Sequence, residues 1–76
     1  MREFKIVLRS VQEVQEFVTL ATTRAFPVFI CDGHHRVNGK SFMEMFCLDF
    51  TRPLTVTADC TGEEFETLRA DALRFL

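Results

Sequence analysis

LTVTADCTGEEFETL, residues 54–68, shows within fifteen positions how this chain is built. Leu54, Val56, Ala58 and Cys60 alternate with Thr55, Thr57 and Asp59. That is the two-residue period of a strand with one buried face. At Thr61 the period changes: Phe65, Leu68, Ala72 and Phe75 recur at helical spacing, with Glu63, Glu66, Arg69 and Arg74 turned largely outward. Thr61 followed three residues later by Glu64 is a capping box, so strand passes to helix without a linker. Phe75 and Leu76 are expected to pin the C-terminus.

The start of the chain repeats this handover. Over residues 3–9, Phe4, Ile6 and Leu8 alternate with Lys5, Val7 and Arg9, again a half-buried strand. Ser10 then precedes Val11, Val14, Phe17, Val18 and Ala21, spaced as on one helical face, with Glu13 completing a capping box. Between these two units, residues 27–32 (PVFICD) read as a strand. Asp32-Gly33 reads as a tight reversal into a further strand near Arg36 and Val37. Asn38-Gly39 marks another turn, after which Ser41 and Glu44 open a helix of about two turns over FMEMFCL. Residues 49–53 form a loop that contains Arg52.

The order βαββαβα supplies strands with one apolar face and helices with one apolar stripe. An α+β open-faced sandwich, a four-stranded antiparallel sheet with three helices on one face, buries all of them. Residues 1–76 form one domain. On the uncovered face the outward parity predicts Val7, Phe29 and Cys31 beside Thr55 and Thr57, a candidate contact surface for a homodimer. The edge of the first strand is a second candidate for pairing with another copy.

Composition narrows the function. With 47% hydrophobic residues, nine Phe among them, the chain has apolar surface enough to fold, although a domain of this size buries only roughly 60% of its unfolded surface. Nine basic and eleven acidic residues give a formal charge of −2 with no basic run to hold a phosphate backbone, so nucleic acid is not expected as a partner. The alternating start lacks the apolar core of a signal peptide, and no stretch approaches the ~20 residues that span a bilayer. The expectation is a cytoplasmic protein with no membrane partner. Cys31, Cys47 and Cys60 are odd in number and lack CxxC spacing, which argues against a disulfide framework. Cys31, His34 and His35 could be drawn as metal ligands, but no second ligand pair at zinc spacing follows; no metal and no cofactor are expected.

KSFMEMFCL at residues 40–48, followed by LTVTA and then GEEFETL, resembles HPr, the histidine phosphocarrier of the sugar phosphotransferase system. The likeness runs from Phe17-Val18 to the last helix, about three quarters of the chain, and implies the same βαββαβα sandwich. In that family a histidine at the start of helix one, in a loop reading approximately GLHTRPA, carries the phosphoryl group. Here the loop is about four residues shorter, and Ser10, Gln12 and Glu13 stand where histidine, arginine and proline are expected. Imidazole is a nucleophile near neutral pH, whereas a serine hydroxyl needs an adjacent base. Glu13 also brings negative charge to the helix end that receives an anion in the family.

The resemblance implies a second feature, a regulatory serine at the start of helix two that a dedicated kinase phosphorylates in many Gram-positive bacteria. Ser41 stands there. By its own spacing Ser41 is an N-cap worth ~1 kcal/mol. In the family the surface of helix two meets partners, and here Phe42, Met43 and Phe46, with Arg52 nearby, are the candidate partner-binding residues. The expected function is a non-enzymatic binding or regulatory module whose partners are HPr kinase, a transcriptional regulator or phosphotransferase-system enzymes. Two alternatives stand beside it: phosphoryl transfer through His34 or His35, otherwise read as exposed turn residues, and a structural assembly role.

Overall fold

The structure, a computed structural model, describes residues 2–76. Its elements are β1 (Arg2–Ile6), α1 (Val11–Thr22), β2 (Val28–Cys31), β3 (Arg36–Asn38), α2 (Phe42–Met45), β4 (Leu54–Ala58) and α3 (Gly62–Asp71), followed by a 3₁₀ turn at Leu73–Phe75. The sheet is antiparallel throughout in the order β1-β4-β2-β3. Phe4, Ile6, Val28, Ile30, Val37, Leu54, Val56 and Ala58 all point to one side and are buried there. Val14, Phe17, Val18, Ala21, Met45, Leu48, Leu68, Ala72 and Phe75 cover them from the helical layer. Thus the α+β open-faced sandwich forms as the periodicity requires.

Each of the expected cap hydroxyls accepts a hydrogen bond: Ser10 from the Glu13 N–H (3.1 Å), Ser41 from the Glu44 N–H (3.3 Å) and Thr61 from the Glu64 N–H (3.2 Å). Only Thr61 and Glu64 complete the reciprocal box, the Glu64 carboxylate accepting from the Thr61 N–H at 3.0 Å. Glu13 instead accepts from the Arg9 N–H (2.7 Å), and Glu44 from the Asn38 N–H (3.2 Å). Both carboxylates therefore reach past the cap to tie down the incoming chain.

Several boundaries differ from the sequence reading. β1 ends at Ile6 because the Val7 N–H donates to the Phe75 carbonyl (2.7 Å), which takes the chain out of the sheet. Likewise β2 lacks Pro27 and Asp32, and β4 ends before Cys60. α2 is one turn rather than two. Beyond Met45 the Cys47 and Leu48 N–H groups donate to Glu44 and Met45, three residues back, so the run FMEMFCL tightens into 3₁₀ turns. Val11, read on the core face of α1, is 61% exposed, and Leu76 is exposed, leaving Phe75 alone to anchor the C-terminus.

The uncovered sheet face is not the apolar surface expected of it. Glu3, Thr57, Phe29 and Asn38 form one cross-strand row, and Lys5, Thr55, Cys31 and Arg36 the next. The Arg36 guanidinium lies 4.1 Å over the Phe29 ring, and Val7 lies outside the strand. A cation covers the one aromatic side chain in these two rows, so this face offers no contiguous apolar patch to a partner.

Candidate functional site

The segments that leave the sheet at one end bring the candidate residues together. Ile6 pairs with Leu54, and Cys31 pairs with Thr55, so the chain after β1, the chain before β4 and the β2–β3 turn all hang from the same rim. Ser10 lies in the first of these segments, Phe50 and Arg52 in the second, and His34 and His35 in the third. β4 separates β1 from β2, which sets the first and third segments two strand spacings, about 10 Å, apart.

At the start of α1 the Glu13 N–H, one of the donors open to an incoming anion, is already engaged, and a carboxylate stands close by. Ser10 is extended (φ −155°, ψ 162°), its hydroxyl holds the Glu13 N–H, and its carbonyl accepts from the Val14 N–H (3.1 Å). The Glu13 carboxylate sits on the Arg9 N–H and adds a negative charge where the helix dipole is positive. Beside Ser10 lies a groove of about 510 Å³, walled by Leu8, Val14, Phe46, Phe50 and Thr51; neither histidine lines it.

Of the expected partner-binding residues, Phe46 lines this groove. Met43 is 82% exposed and Phe46 49% exposed, while Phe42 is half-buried against the core. Their rings run on through a residue that sequence reasoning missed: Phe42 to Phe46 is 4.9 Å between centroids, and Phe46 to Phe50 is 6.3 Å, both edge-on. The spacing of four residues between these phenylalanines was the available signal. Arg52 is exposed, its Nε 3.5 Å from an Asp49 carboxylate oxygen. Asp49 also accepts from the Thr51 hydroxyl and N–H, and these two bonds hold its carboxyl below the usual range. Ser41 is half-buried, and its neighbour Lys40 is committed to the Arg24 carbonyl (2.7 Å).

Sequence reasoning also missed Asp32, which it read only as half of a turn dipeptide. The residue is 8% exposed. One carboxylate oxygen accepts from the His35 N–H (2.7 Å) and the His34 N–H (2.8 Å); the other accepts from the Asp49 N–H (2.9 Å). Those backbone donors, that of His35 foremost, hold its carboxyl well below the usual carboxylate range. Gly33 supplies the positive φ (98°) that the turn requires. His34 and His35 are exposed, and His35 Nδ1 lies 3.6 Å from the Asp32 carboxylate. Burial pushes the Cys60 thiol up, with the charge of Glu64 adding to the effect, so it is a weak nucleophile. Among the described residues, no group of three or more His, Cys, Asp or Glu could hold a metal ion, and no helix is long and apolar enough to cross a membrane.

The sheet order, the helices on one face and the shared rim define an open-faced sandwich of the HPr-like class. Among solved structures, the crystal structure of HPr-C-His from Thermoanaerobacter tengcongensis matches with a TM-score of 0.77 at 20% identity, covering 97% of this chain and 92% of that one. At that identity the match establishes the fold. Neither a family model nor a curated protein matches the chain.

Proposed function

We propose that this domain is a non-enzymatic binding and regulatory module related to the sugar phosphotransferase system. In this reading α1 carries no phosphoryl group, and partners read the surface around α2. The observation that carries it is the pairing of an α1 start capped by Ser10 and flanked by the Glu13 carboxylate with a surface of exposed Met43 and Phe46 and half-buried Phe50. A flexible Met and edge-exposed rings suit contact with more than one partner. Phosphate on Ser41 places a charge of about −2 at the edge of that surface, which switches what docks there.

Titration of the labelled protein with HPr kinase, without and then with ATP, tests both parts of this reading. We expect amide shifts centred on Met43, Phe46 and Phe50, and then a single phosphoryl group in the intact mass that the Ser41→Ala variant does not acquire. Absence of both results refutes the reading, and shifts without phosphorylation refute the switch alone.

A second reading rests on His35. Its imidazole is 62% exposed and is oriented toward the Asp32 carboxylate through Nδ1, an arrangement that leaves Nε2 as the outward nucleophile. The charge on Asp32 is already saturated by three backbone donors, and it repels an incoming phosphoryl group.

A further inference from the structure

The outer edge of β1 is unpaired in the sheet, and its polarity can be read from hydrogen bonds elsewhere. The Asp59 N–H donates to the Pro27 carbonyl (3.2 Å), on the β2 side of the β4 line. Peptide groups alternate sides along a strand, so Thr57 and Thr55 also face β2, while Ala58, Val56 and Leu54 face β1. Their partners Arg2, Phe4 and Ile6 then face inward, and the peptide groups of Glu3 and Lys5 face outward. Val7 agrees with this parity, since its N–H meets the Phe75 carbonyl (2.7 Å) rather than β4.

A second copy pairing antiparallel with this edge about a two-fold axis has few registers. Centring on Glu3 sets Glu3 against Glu3 of the other copy. Centring on Lys5 sets lysine against lysine and demands the Val7 N–H, which is already taken. Centring on Phe4 sets Glu3 against Lys5 and Lys5 against Glu3, each a pair that exchanges both of its backbone hydrogen bonds. Both side chains are exposed on the uncovered sheet face, where opposite charges directly across strands attract. A charged edge strand ordinarily guards against pairing, but in this register each charge meets its complement.

From this complementarity we infer that the chain self-associates through β1, in the Phe4-centred register, into a continuous eight-stranded sheet. The interface is a single strand pair of five residues per copy, so the dimer is weak and concentration-dependent.

Sedimentation equilibrium on the wild type, E3K, K5E and the double E3K/K5E variant tests the register. Wild type and double variant are expected to share one dissociation constant, each single variant to bind itself about tenfold or more weakly, and an equimolar mixture of the single variants to associate at least as well as wild type. Circular dichroism confirms that each variant is folded, and amide exchange in the wild type should slow at Glu3 and Lys5 as concentration rises. A monomeric wild type with unchanged exchange at those two amides overturns the proposal. So does a dimer indifferent to the charge swaps.

Discussion

Replacing Asp32 with alanine is expected to lower the melting temperature by on the order of 10 °C, a large effect for a residue outside the apolar core. The carboxylate is the acceptor for the N–H groups of His34, His35 and Asp49, and alanine leaves all three without it. Two of these bonds shape the β2–β3 turn; the third ties that turn to the loop carrying Phe50 and Arg52. The variant should therefore also loosen the rim, seen as faster amide exchange at Asp49 and Thr51. The effect has a pH signature. The backbone donors depress the folded-state pKa, so the stabilisation is fully present above the unfolded value of ~3.9 and is lost as pH falls through the folded value. Thermal melts should show wild type losing stability as acid is added below about pH 4, while Asp32→Ala lacks this group's share of that loss. Parallel melting curves over this range would contradict the role given to Asp32.

Truncating Phe75 to alanine is expected to cost about 3–5 kcal/mol, a large part of the 5–15 kcal/mol that holds a typical domain together. Phe75 is 1% exposed and packs edge-on against Phe17, 5.8 Å between ring centroids. Its carbonyl also ends β1 by accepting from Val7, so the cavity and a loosened Val7 bond act on the same corner. Urea unfolding should show a lower midpoint with an unchanged slope. Leu76→Ala, at an exposed position, should fall within about 0.5 kcal/mol of wild type. Equal effects at the two positions would mean that the C-terminus is held differently.

Local patterns carried the fold. Strand parity at Phe4, Ile6, Leu54, Val56 and Ala58 fixed the buried face, and the hydroxyls of Ser10, Ser41 and Thr61 began helices as caps should. What stayed hidden was non-local. The run FMEMFCL has enough apolar residues for two helical turns, but Asp32, 17 residues before Asp49, captures the Asp49 N–H, and the chain enters that contact through 3₁₀ turns. No periodicity announces such a bond. The carboxylates of Glu13 and Glu44 were legible as capping partners, but their choice of the Arg9 and Asn38 donors depends on how the preceding chain approaches. Phe29 read correctly as outward and the β2–β3 hairpin was legible at Asp32-Gly33, yet the cover of Phe29 by Arg36 depends on the hairpin's register, which that turn signal does not fix. Of the candidate site, Ser41, Phe42, Met43 and Phe46 were visible as a segment. That Phe46 meets Ser10 and Phe50 in one groove needed the sheet order.

Incubation with enzyme I and labelled phosphoenolpyruvate probes the α1 start most directly, with an HPr that carries the histidine loop as the positive control. An engaged hydroxyl cap and a carboxylate at that helix end predict no acid-labile phosphate on this chain under conditions that charge the control. Acid-labile label on the wild type, abolished by combined His34→Ala and His35→Ala substitution, would contradict the account and make the β2–β3 turn a phosphoryl carrier.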